Sequence, residues 1–263
     1  MDNKNFSISE LFPNFQNKDD FFRRITSEKG VLKKIIVLYL ILNVFSFFYG
    51  VVMGSYHSFL QAVTAGVKVS LLFTLVLVIC FPAFFIIQHI LGSKLKLYQM
   101  VSIILSGFVL TAAIMVSFIP VVIFFVLTGS NYYFHQLLHI LVFVIAGLFG
   151  MKIVIDALRY SCETKNVYPQ TGVVVFRFWV VILAFVGMQL AWNLRPFLGD
   201  RGEPYQLFRQ YEGNFYTAVI YSVKQLFQSE EPEEENRGTA YRREAKNDTL
   251  KLYPGNSLKK EGE

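Results

Sequence analysis

Three long stretches of the chain carry no charged residue: Ile35 to Val67, Val69 to Ser93 and Leu97 to Met151. A hydrocarbon core about 30 Å thick is crossed by about 20 residues of helix, and a backbone in lipid must pair its own polar groups. The pattern therefore predicts an all-α, polytopic integral membrane helical bundle of about five spans. They run over Ile35–Gly54, Val69–Leu91, Gln99–Leu127, His135–Leu158 and Val173–Trp192. Ser55 to Val67 is apolar but studded with Ser, Thr, His and Gln, and reads as an interfacial or re-entrant helix between the first two spans. Pro82 and Pro120 are expected to kink the second and third spans, because proline removes a backbone donor. Gly50 and Gly54 form a small-xxx-small pair that lets another helix approach closely.

The flanks divide the chain into four parts. Residues 1–34 form a polar head, in which Asp19 to Ile25 reads either as a short interfacial helix or as a solvated arm. Residues 35–192 form the five-span domain. Residues 193–227 mix aromatics, charges and glycines and read as an outer interfacial cap segment, with Asn214 to Phe227 as an amphipathic helix. Residues 228–263 are highly charged, with too little apolar surface to fold, so a disordered tail is expected. The first apolar run lacks a small-residue cleavage site and is expected to stay as an anchor.

The net charge of +6 would suit a nucleic-acid partner, but the basic residues gather beside apolar runs and no nucleic-acid motif is present. They set orientation instead. Lys29, Lys33 and Lys34 precede the first span, Lys94 and Lys96 lie between the second and third, and Arg159 and Lys165 lie between the fourth and fifth. Lys68 is the exception in the alternate loops. The N-terminus is thus expected in the cytoplasm and the C-terminal segment outside, at the plasma (inner) membrane, although Arg195, Arg201 and Arg209 oppose this. The two cysteines, Cys80 and Cys162, read as free thiols.

Polar groups at membrane depth are the candidate sites, because they are costly there. Lys152 and Asp156 are four apart on the fourth span, and Arg177 sits one turn into the fifth. The expectation is an intramembrane charge cluster in which Asp156 pairs with Lys152 or Arg177. His135 and His139 are also four apart, and His57 lies on the same outer side. An i, i+4 histidine pair can bind a metal, but Gln136 stands where an HExxH motif needs Glu, so the reading is interfacial hydrogen bonding without a metal. Gln189, Asn193 and Arg195 form an outer polar cluster, with Arg195-Pro196 ending the fifth span. No nucleophile–base arrangement, phosphate loop or ATPase motif appears, so no enzyme activity and no cofactor are expected.

Four segments together resemble a group of uncharacterised bacterial multi-pass membrane proteins: Tyr49-Gly-Val-Val-Met-Gly54, Lys68 through Phe81-Pro82, Leu148-Phe-Gly150 and Gly187-Met-Gln-Leu-Ala-Trp-Asn-Leu-Arg-Pro-Phe197. In span count, with five spans behind a cytoplasmic head, the chain is also similar to the Yip family of membrane-trafficking proteins. Neither resemblance carries a functional residue onto this chain. The expectation is a membrane scaffold or interaction subunit whose partners are the lipid bilayer and another membrane protein or a second copy. The alternative is a small-molecule or ion transporter or channel.

Overall fold

The computed structural model describes residues 31–129, 131–163, 169–199, 204–208 and 215–228. The expected head and charged tail lie outside them, except that the first helix already begins at Val31. The described residues form seven helices: α1 (Val31–Gly54), α2 (Phe59–Ile90), α3 (Leu97–Ser117), α4 (Ile119–Leu127), α5 (Tyr132–Glu163), α6 (Gln170–Leu194) and α7 (Phe215–Gln228). Five segments are long and apolar enough to cross a membrane: α1, α2, α3 with α4, α5 and α6. The protein is an all-α, multi-pass membrane bundle.

Two spans differ from the sequence reading. Ser55 to Val67 is no separate helix. Only residues 55–58 form a turn, and α2 then runs unbroken for 32 residues, which is about 48 Å and exceeds the hydrocarbon thickness. The polar residues near its start lie in that excess length. Pro82 sits inside this continuous helix on an exposed position. The third span is divided: α3 ends at Ser117, and Pro120 occupies the first turn of α4. The proline begins a new helix where its missing N–H has no intrahelical partner to lose.

Local signals fix the ends. The Ser58 hydroxyl accepts the Gln61 N–H at 3.3 Å and caps α2. At the other end Gly92 has φ +91°, Gly92 N–H bonds to His89 O and Ser93 N–H bonds to Gln88 O, each at 3.0 Å. These two bonds satisfy otherwise orphaned carbonyls, and the left-handed residue between them suits glycine. Gln99 Oε1 accepts the Lys96 N–H at 3.0 Å and opens α3.

Helix α3 is the interior helix. Every residue from Ser102 to Val109 is buried, chiefly between α1 and α5. Helix α1 packs between α2 and α3, and α6 packs along α2 with lighter contact to α5. Small residues allow the two tightest crossings. On α1, a Cβ at Gly50 would stand 2.6 Å from Ala65 O of α2. On α5, a Cβ at Gly150 would stand 2.6 Å from Gly107 O of α3. Lipid tails are as apolar as leucine, so helices in a bilayer associate through such close packing rather than by escape from water.

Candidate functional site at the capped end

The turn 55–58, the start of α5, the end of α6 and residues 196–199 and 204–208 gather at one end of the bundle. Two polar constellations occupy this capped end. The first is built on α2. Gln61 and Lys68 are seven residues apart and therefore share a face. Both are buried, with Lys68 5% exposed. Gln61 Nε2 donates to Pro196 O at 3.0 Å and to Phe197 O at 3.2 Å. Lys68 Nζ donates to Pro196 O at 3.0 Å and also to Leu207 O. The ammonium further lies 5.0 Å from the centre of the Phe208 ring. A buried cation is costly without partners. Here two carbonyl dipoles and an aromatic face stabilise it, and the same contacts tie two stretches of the post-α6 segment to α2.

Leu198 is buried in the core, and a Cβ at Gly199 would stand 2.6 Å from the His57 ring. The segment therefore lies flat against the α1–α2 turn. Arg195 stacks over the Trp192 ring at 3.5 Å, and Trp192 meets Phe215 of α7 at 6.1 Å. Helix α7 then rests on α5 and, more lightly, on α6. Tyr221 packs edge-on to Tyr133 at 5.8 Å. The Ser222 hydroxyl is shared between Ala218 O at 2.8 Å and Gln136 Oε1 at 3.2 Å. Ala218 and Val219 are half-buried and Ser222 is buried, whereas Tyr216, Ile220 and Val223 are exposed. The apolar residues of α7 thus divide between the bundle and the surroundings.

The second constellation joins α1 to α5. Tyr49 and His139 are buried, and Tyr49 Oη lies 2.8 Å from His139 Nδ1. The His135 and His139 rings are stacked at 6.3 Å, and Tyr56 covers His135 at 4.6 Å. Tyr49 also meets Phe143, which stacks on Phe73, which meets Phe108 of α3. A column of rings therefore runs from the capped end into the apolar middle. His139 Nε2 is buried without a hydrogen bond.

The sequence-predicted sites fare differently. His135 and His139 come together, but His57 does not join them; its Nδ1 lies 2.9 Å from Ser58 Oγ instead. Among the described residues no three His, Cys, Asp or Glu side chains form a group that could hold a metal ion. Lys152 and Arg177 are exposed at positions facing the surroundings, and Asp156 is half-buried. Among the described residues no ion pair within 4.0 Å joins Asp156 to either cation. Of the outer cluster, Gln189 is half-buried and Asn193 exposed, while Arg195 ends α6 as its extended C-cap. Cys80 and Cys162 are free thiols. Gln61 and Lys68 hold residues 196–197 and 207 against α2; the sequence reading marked Lys68 only as the exception to the charge pattern and did not name Gln61 as a site. Their signal was present: two polar residues two turns apart on one face of an otherwise apolar helix.

No protein family, curated protein or solved structure matches the chain. What stands is the class: a multi-pass membrane protein with five apolar helices, one end of which is covered by residues 196–199 and 204–208 and by α7.

Proposed function

We propose that the protein is a membrane scaffold or interaction subunit that presents its capped end to a partner. The observation that carries this reading is the position of α3. A helix buried on all sides over Ser102–Val109 fills the interior, and stacked rings from Tyr56 to Phe108 fill the space beside it. A transporter needs a polar site near the bilayer midplane, commonly at broken helices between internal repeats. Of the buried hydroxyls of α3, Thr111, nearest the midplane, bonds back to Gly107 O at 3.0 Å and Ser106 to Ser102 O at 2.7 Å, while Ser102 Oγ, nearer the start of the helix, is buried without a hydrogen bond. This pairing takes up the α3 hydroxyl nearest the midplane, and the unpaired Gln61, His135 and His139 atoms lie toward the capped end instead. The cap, by contrast, carries exposed Leu207 and Phe208 in its latched stretch and exposed Tyr216 and Ile220 on α7, and exposed aromatic and aliphatic groups suit protein contact.

The reading includes an orientation, with the N-terminus in the cytoplasm and the capped end outside. It is tested by photocrosslinking in intact cells from a reactive residue at Leu207 or Phe208. A defined crosslinked partner or homodimer is expected, and its yield should fall when Lys68 is replaced by Met. Solute or ion flux through proteoliposomes of the purified chain, with no crosslink from the cap, would instead establish the transporter reading.

A further inference from the structure

Lys152 and Arg177, two exposed cations within the spans, lie far from the cap, toward the end of the bundle where α5 finishes and α6 begins. Lys152 follows Leu148 and Phe149 on the outer surface of α5, where these residues are 67% and 56% exposed. Arg177 sits among Val174, Phe178 and Val181 on the outer surface of α6, each at least half exposed. In a membrane such a surface meets lipid, not water. Helix α5 has 32 residues and α6 has 25. At 1.5 Å per residue, centring α5 on a 30 Å core leaves about 9 Å of helix beyond each boundary. Lys152 lies about 16 Å from the end of α5, so its Cα falls about 7 Å inside the hydrocarbon. The same construction leaves about 4 Å of α6 outside and puts Arg177, about 10 Å from its start, at nearly the same depth.

Two cations at matched depth on neighbouring, antiparallel helices must carry their charge to the headgroup level, which their long side chains allow. No carboxylate among the described residues pairs with either at 4.0 Å. Asp156, one turn from Lys152, is half-buried and turned partly into the bundle. The group of opposite charge that a bilayer supplies at that level is a lipid phosphate, and basic sites between membrane helices suit anionic headgroups. Arg159, exposed two turns further along α5, adds positive charge nearer the surface.

We propose that Lys152 and Arg177 form a binding site for the headgroup of an anionic phospholipid at the α5–α6 surface. Native mass spectrometry of the full chain from nanodiscs of equal phosphatidylglycerol and phosphatidylcholine is the test. The wild type is expected to retain phosphatidylglycerol preferentially. The K152Q/R177Q variant should lose about thirtyfold of that preference, from the attraction of two surface cations for anionic lipid. The K152R/R177K variant keeps the charges and should keep the preference, and D156N, which removes the nearby acid, should keep or raise it. A wild type with no preference overturns the proposal, and so does a K152Q/R177Q variant that retains it. If K152Q/R177Q does not fold, K152R/R177K and D156N decide: a loss of preference in either overturns the site.

Discussion

Single side chains at the capped end join the packing of the fold to its proposed role. Lys68 is the central case. Within an apolar run a lysine reads as a breach of the charge pattern, yet it is buried and donates to two carbonyls of a segment more than 120 residues away in sequence. Replacing it with Met keeps most of the side-chain volume and removes both charged hydrogen bonds. Such bonds contribute about 1.5–3 kcal/mol each, partly offset here by the relief of burying a charge, so a net loss of about 2 kcal/mol is expected. Hydrogen exchange should locate the loss, with faster exchange over residues 196–198 and 204–208 and little change in α3. Tyr49 makes the complementary case. Tyr49→Phe leaves the rings packed but removes the partner of a buried imidazole nitrogen. A cost of about 1–3 kcal/mol is expected for that unsatisfied group, read as weakened resistance to unfolding in detergent.

At the scale of helices, glycines decide which faces meet. Gly50 and Gly54 were legible in the sequence as a close-approach pair, and the structure supplies their partner, the Gln61–Gly66 stretch of α2. That partner was hidden because Ser55 to Val67, with its His, Gln and Thr residues, resembles an interfacial segment more than a span. The same polarity is what a helix longer than the bilayer shows where it emerges. Pro120 was legible as a disruption but not as a helix start, since a proline in an apolar run is compatible with both a kink and a first turn. The expected Asp156 pair is not closed as an ion pair within 4.0 Å among the described residues. Spacing placed Lys152 and Asp156 one turn apart, but four-residue spacing does not fix which way two flexible side chains turn when one of them can reach water and headgroups. The Gly107–Gly150 crossing yields a paired prediction. Gly150→Val forces side-chain atoms into the α3 backbone and should cost about 1–3 kcal/mol or more by overpacking. Gly147 lies three residues away on the same helix, with nothing within 4 Å of an added Cβ. Gly147→Ala should therefore raise stability slightly, by up to about 1 kcal/mol of helix propensity. Equal effects from the two variants in a detergent unfolding assay would mean that α3 and α5 do not cross at Gly150.

For the whole molecule, five crossings place the start of α1 and the end of α6 on opposite sides of the membrane, and the remaining question is which side is which. Counted from sequence alone, Lys68 and Arg195 weigh against a cytoplasmic N-terminus, because both fall at the end that should be poor in positive charge. The structure changes that count. Lys68 is held by Pro196 and Leu207 carbonyls, and Arg195 is stacked on Trp192. Both charges are thus committed to the fold. The orientation rule concerns Lys and Arg in short loops near span ends. At the opposite end Lys33, Lys94, Lys96 and Arg159 are exposed at or near the span ends. Arg201 and Arg209, which lie outside the described residues, and Lys224, exposed on α7, still count at the capped end, so the expected orientation rests on the basic cluster at the opposite end. It leads to a direct expectation for reporter fusions made at Gly129, at the capped end, and at Glu163, at the other. The Gly129 fusion should be active only with a reporter that works outside the cytoplasm, and the Glu163 fusion only with one that works inside. Adding two lysines beside Gly129 should erode this separation, because new positive charge at that end competes with the existing cluster. The reverse pattern in the unmodified chain would turn the bundle over and place the cap in the cytoplasm, where any partner it presents to would have to be sought.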